Sequence, residues 1–182
     1  MYFVLEEPAY MVLETERLLI RPITEDDWPS VKAIREDFHQ STYAQYDRPM
    51  DTEKTAVRER ISRWAKASRG TEHMFFAVCL QSVLIGYIAF NRREDGYEIG
   101  YCFHSAYHGK GYAGESIQAL ISYLHSLGVR KISAGTAINN LPSVRLLQSL
   151  GFKQTGEEKV SFYKDADGNG IFFDGGIFER SI

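Results

Sequence analysis

The stretch from Glu98 to Glu115, EIGYCFHSAYHGKGYAGE, constrains this chain more than any other. Its first part, Tyr97 to Phe103, is aromatic and apolar and predicts a strand. Its middle, His108 to Gly114, carries three glycines in seven residues. Its last part opens a helix, because Ala113, Ile117, Leu120, Ile121 and Leu124 recur at helical spacing. A glycine loop between a strand and a helix lets backbone come close to a ligand. The helix start adds unpaired N–H groups and the positive end of a dipole, so the junction suits an anion, most often a phosphate. It is not a P-loop, since no Lys-Ser/Thr pair follows the glycines. Nor does the chain before Gly109, Gly111 and Gly114 supply the βαβ unit of a dinucleotide site.

Around this stretch the chain alternates strand and helix patterns. Residues 1–11 form an extension interrupted by Pro8. Arg17 to Pro22 predicts a first strand, and Thr24 caps a helix with an acidic first turn and Trp28, Val31, Ile34 and Phe38 on its apolar face. His39 to Met50 has no period and predicts a loop. Asp51 or Thr52 starts a second helix, with Val57, Ile61 and Trp64 inward. Met74–Leu80 and Val83–Phe90 predict two strands around a turn at Gln81-Ser82, with a second turn over Asn91–Gly96. The helix after the glycine loop ends at Gly128, Lys131–Ala137 gives a further strand, and Pro142 opens a short helix ending before Gly151. Phe152–Lys164 and Ile171–Arg180 predict a closing hairpin. Its turn, DADGNG, has the start of a calcium loop but not its end: the twelfth position from Asp165 is Gly176, not glutamate, so a solvated turn and no metal are expected.

Two spaced motifs resemble the GNAT superfamily of acyl-CoA-dependent N-acetyltransferases. His108-Gly109-Lys110-Gly111-Tyr112-Ala113 occupies the family's Gln/Arg-x-x-Gly-x-Gly/Ala loop, and YHGKGYAGES resembles the branch of ribosomal-protein N-terminal acetyltransferases. Asn140-Leu141-Pro142-Ser143 followed by Leu150-Gly151-Phe152 matches a second element, and TERLLIRPITEDD, Thr15 to Asp27, matches the opening. The resemblance implies one α/β domain over residues 1–182, with a mixed, mostly antiparallel sheet of about seven strands flanked by helices and splayed near Phe103. It also implies a cosubstrate, acetyl-CoA. Backbone at Gly109, Gly111, Ala113 and Gly114 would hold its pyrophosphate, Lys110 would add a cation, and His108 and Tyr112 complete the loop. Cys102 and Phe103 would pair with the pantetheine arm, and the Phe103 amide would donate to the thioester carbonyl. Asn140 would contact the arm.

The reaction implied is acetyl transfer to a primary amine by direct attack in a ternary complex. Many relatives have a tyrosine acid four residues after Ser143, but Leu147 stands there, so Ser143 takes the role of proton donor to the thiolate. Glu98 is the candidate carboxylate base, with His104 behind it. Glu115 is read as support for the helix dipole. Tyr43, Tyr46 and Asp47, in the loop between the first two helices, are candidate acceptor contacts. A protein N-terminal α-amine is the first-choice acceptor. A small amine (polyamine, amino acid or aminoglycoside) and a non-catalytic acyl-CoA sensor stay open, as does a homodimer. The net charge of −3 argues against a nucleic-acid partner, and no apolar run approaches membrane-spanning length. The N-terminus has no signal-peptide pattern, and Cys79 and Cys102 lie in apolar strands, so free thiols and a cytoplasmic location are expected.

Overall fold

The computed structural model describes residues 11–182. Of the predicted extension, residues 1–10 lie outside the described residues, while Met11 packs against the core. The elements follow in the order β1 (Leu13–Glu14), β2 (Leu18–Pro22), α1 (Trp28–His39), α2 (Lys54–Ala67), β3 (His73–Leu80), β4 (Val83–Arg93), β5 (Gly96–Phe103), α3 (Tyr112–Ser126), β6 (Lys131–Ala137), α4 (Leu141–Ser149), β7 (Lys153–Lys164) and β8 (Gly170–Ser181). One sheet holds all eight strands in the order β1-β2-β3-β4-β5-β6-β8-β7. The two-residue β1 makes one strand more than the pattern predicted. β4 and β5 also run further toward each other, which shortens the turn between them to Glu94-Asp95.

Helices cover both faces, and this explains the continuous apolar run of β3. Its alternate residues serve different cores. Met74, Phe76 and Val78 join Ile117, Leu120, Ile121 and Leu124 of α3 and Leu147 of α4. Phe75, Ala77 and Cys79 join Val31 and Ile34 of α1 and Val57 and Ile61 of α2. Burying each such side chain contributes about 1.5–3 kcal/mol, so the two clusters fix the helices to opposite faces. Trp64 lies flat on Phe75, with ring centroids 4.4 Å apart.

Local chemistry sets the helix starts. α2 begins at Lys54, later than its Asp51 or Thr52 signal, because the Glu53 carboxylate accepts from the Ala56 amide and caps it. Ahead of α1, Asp27 does more than support a dipole. Its carboxylate accepts from the Thr24 amide at 2.7 Å and forms a two-pronged ion pair with Arg21 of β2. Burial alone would raise this carboxyl, but the Arg21 and Thr24 hydrogen bonds outweigh it and hold Asp27 below the usual carboxylate range. In the closing hairpin, the Asp165 carboxylate accepts from the amides of Asp167 and Asn169, so it is spent on the turn.

Six of the seven strand pairings are antiparallel, and the one parallel contact is short. β5 and β6 pair only at Tyr97–Ile132 and Glu98–Ser133. Beyond Glu98 the two strands part, and the sheet opens.

Candidate active site

The opening between β5 and β6 becomes a groove of about 1590 Å³. Every site residue expected from the sequence lines it except Lys110 and His104. The side chain of Lys110 folds back instead: its Nζ donates to the Ala106 carbonyl and sits 5.7 Å from the Tyr107 ring centre.

Strand alternation decides which backbone groups face the gap. The His104 amide donates to the Ile85 carbonyl of β4, and Gly86 lies opposite Phe103 in the ladder. His104 and Cys102 therefore turn their backbone groups toward β4, while Phe103 and Tyr101 turn theirs toward the parting β6. This corrects the expected pair for an extended ligand from Cys102 and Phe103 to Tyr101 and Phe103. On this alternation the Phe103 N–H faces the groove. Its carbonyl is taken by His108, whose Nε2 donates to it at 2.8 Å. His108 thus braces the end of β5 rather than reaching for a phosphate. Gly86 makes room for the Phe103 ring: a Cβ there would stand 2.2 Å from it.

The loop that follows turns on left-handed glycines. Gly109 and Gly111 have φ of +71° and +82°. The first amide bond of α3 runs from Glu115 to the Gly111 carbonyl. The amides of Tyr112, Ala113 and Gly114 before it have no partner within the helix, an arrangement that suits an anion. The loop is held from outside by the turn between β1 and β2. Arg17 bonds both to the Glu115 carboxylate, at 2.6 and 2.7 Å, and to the Lys110 carbonyl at 2.9 Å; it also stacks 4.6 Å above the Tyr112 ring. The Thr15 hydroxyl donates to the same carboxylate. Burial would raise the Glu115 carboxyl, but Thr15 and Arg17 hold it below its ordinary range. Glu115 is therefore an anchor for the loop, not only a charge near a dipole. Sequence reasoning missed Arg17, whose partner lies 98 residues away.

On the α3–α4 side of the gap, Ser143 sits in the first turn of α4. Asn140 caps this helix, its Oδ1 accepting from the Ser143 amide at 3.4 Å. The Ser143 hydroxyl meets the Tyr101 phenol at 2.8 Å. Burial pushes this phenol up to about 12. Leu147, where relatives of the expected kind carry a tyrosine, is buried in the core beneath the groove, and its aliphatic side chain has no proton to give. Tyr101 was not singled out from the sequence, where it is one aromatic among several in a strand.

On the α1–α2 side lie Tyr43, Tyr46 and Asp47, in a loop that forms one 3-10 turn, Ala44–Tyr46. The β7–β8 hairpin folds back over them. Tyr163 donates to the Ala44 carbonyl at 3.3 Å, and the Tyr46 ring meets Phe173 edge-on at 5.4 Å. Phe162 packs on Phe173 and carries Arg48 over its face. Desolvation raises the Asp47 carboxyl, although the residue's outer edge is exposed. Glu98 lines the far end of the groove with its carboxylate held by Arg93. Glu158 adds a further carboxylate to the lining. His104 does not line the groove, and its Nδ1 accepts from the Ala106 amide. The Cys102 thiol is buried and pushed up to about 12 by that burial, which disfavours the thiolate. Among the described residues, no three His, Cys, Asp or Glu side chains converge on one point, and no helix is long and apolar enough to cross a membrane.

Comparison with known proteins agrees with this geometry. Residues 17–153 match the profile of the acetyltransferase (GNAT) domain. The chain is 30% identical over 151 residues to the uncharacterized N-acetyltransferase YnaD of Bacillus subtilis, covering 80% of this chain and 85% of that one. A GNAT-family acetyltransferase structure from Bacillus anthracis superposes with a TM-score of 0.74 at 27% identity, over 94% of this chain and 98% of that one. The ribosomal L7/L12 α-N-protein acetyltransferase RimL, solved with coenzyme A, shares the fold with a TM-score of 0.79 at 18% identity, over 94% and 98%.

Proposed function

This chain belongs to the GNAT family and is an acetyl-CoA-dependent N-acetyltransferase, and from that premise we propose that it acetylates a protein N-terminal α-amine by direct attack within a ternary complex. One observation carries the reading. The gap between β5 and β6 puts the Phe103 N–H between two walls, the Tyr101–Ser143 pair on one and an open groove on the other.

The residues present fit the cosubstrate. The open amides at Tyr112, Ala113 and Gly114 suit a pyrophosphate, and the outward backbone of Tyr101 suits an amide-bearing arm laid along β5. When bound, acetyl-CoA supplies an activated acyl group. The chain's own residues do the rest. Phe103 N–H is placed to donate to the charge that develops on the acyl oxygen. Ser143 is placed to donate a proton to the leaving sulfur. An α-amine titrates near roughly 8, so a carboxylate acting through water suffices as base. Glu98, held by Arg93, and Asp47 are the carboxylates of the groove that the sequence singled out for the acceptor side.

The acceptor half supports a chain-like substrate. It is an open groove walled by the α1–α2 loop and the β7–β8 hairpin. RimL, which shares the fold, is described as acting on a protein N-terminus. Both cysteines are free and buried, which supports a cytoplasmic setting. The test is thiol release from acetyl-CoA with a panel of N-terminal peptides and a panel of small amines, against a blank without acceptor. Release with peptides alone is expected. Release with small amines alone overturns the acceptor class while leaving the acetyltransferase itself intact.

A further inference from the structure

Resting on the reading of Ser143 as donor to the leaving sulfur, we propose that Tyr101 is a positioning residue for that step: its phenol donates to Ser143 Oγ and thereby frees the serine's own proton for the sulfur. The two oxygens are 2.8 Å apart, and both residues line the groove. Tyr101 lies two residues before Phe103 on β5, so the two side chains share a face, the one that packs against the α3–α4 core.

A serine hydroxyl has one proton and two lone pairs. Helical serines usually spend that proton on a carbonyl one turn back, and this chain shows the habit. Ser116 donates to Tyr112, Ser122 to Gln118, Ser126 to Tyr123 and Ser149 to Leu146. Ser143 stands in the first turn of its helix, and among the described residues its hydroxyl bonds to the phenol alone. With the phenol as donor, one lone pair is filled and the serine proton points elsewhere. Burial keeps the phenol protonated across the working range of an enzyme, so it remains a donor throughout.

The transfer then balances. The acceptor nitrogen bonds to the acetyl carbon, the carbon–sulfur bond breaks, and the surplus proton on nitrogen passes to water in the groove. The sulfur takes the Ser143 proton, and solvent returns one to Oγ.

The experiment is a double-mutant cycle on the full chain with Tyr101→Phe, Ser143→Ala and both, reading kcat, the KM for acetyl-CoA and the melting temperature. Ser143→Ala is expected to lower kcat about a hundredfold. Tyr101→Phe is expected to lower it about tenfold, the scale of one lost hydrogen bond, with KM unchanged. The double variant should match Ser143→Ala, because the phenol acts only through the serine. Replacement of Tyr101 by 4-aminophenylalanine, which keeps a donor, should restore most of the loss, and 4-methylphenylalanine of the same outline should not. This pair also carries the test if the Phe variant fails to fold. If Ser143→Ala leaves kcat intact, the reading of Ser143 fails, and this inference with it. If Ser143→Ala lowers kcat but Tyr101→Phe does not, or if the two losses simply multiply, only this inference is overturned. A Tyr101→Phe loss larger than that of Ser143→Ala overturns it too, since the phenol would then be the donor itself.

Discussion

The two halves of the groove are built in different ways. The cosubstrate half comes from one continuous stretch, the end of β5, the glycine loop and the start of α3, and it works mainly through backbone groups. The acceptor half comes from the α1–α2 loop, the β7–β8 hairpin and the far end of β5, and it works through side chains. Backbone geometry needs glycine at particular φ values and a helix start at a particular residue. Side-chain walls can be made by many residue types, provided the fold brings them together. The first half should therefore be brittle to single changes in its loop, and the second tolerant and adjustable.

The sharpest way to break this comparison is Gly111→Val. Gly111 has φ +82°, and a Cβ there would meet the Arg17 guanidinium at 3.3 Å. A β-branched residue in the left-handed region costs about 2 kcal/mol or more, so acetyl-CoA should bind at least about thirtyfold more weakly by calorimetry. Unchanged affinity would mean that the loop is not the cradle.

A second change acts at the start of α1, outside the glycine loop. Asp27→Asn removes the ion pair that ties the start of α1 to β2. A loss of about 2 kcal/mol is expected at neutral pH, less than for a fully enclosed pair because Arg21 is partly exposed. The folded carboxyl titrates below its unfolded value, so this stability is present above the unfolded value and is lost as pH falls through the lower folded one. Melting curves of wild type and variant should therefore converge in acid. Acetyl-CoA affinity of the folded variant should hold; a parallel loss would show that the halves are coupled.

The smallest effect is expected from Arg17→Ala. Its ion pair with Glu115 is half exposed and adds little by itself, but the bond to the Lys110 carbonyl steadies the loop. The KM for acetyl-CoA should rise about threefold, with kcat unchanged. No change in KM would make the clamp a purely structural contact.

The same division explains what could be read from the sequence. The strand–glycine–helix order, the proline that opens α4 and the alternating pattern carried the sheet, its flanking helices and the loop, because each has a local signature. The gap between β5 and β6 has none: it depends on where a parallel pairing stops. Without that register, Cys102 and Tyr101 could not be told apart as cradle residues, and the Tyr101–Ser143 bond, across 42 residues, could not be seen. His108 matched a loop motif, yet its ring is drawn to a carbonyl that the ladder leaves unpaired. Phe162 and Phe173 enter the acceptor wall only because the long hairpin folds back over the α1–α2 loop, which no spacing in β7 or β8 announces.

The most direct test of the central claim is calorimetric titration of acetyl-CoA into the double variant Tyr46→Ala/Phe173→Ala. These rings meet edge-on in the acceptor wall, and their removal should lower kcat/KM for the acceptor about tenfold, from one aromatic pair and its packing. The account predicts an acetyl-CoA affinity within about twofold of wild type, because the backbone cradle is complete without that wall. A tenfold or greater loss of acetyl-CoA binding would contradict it.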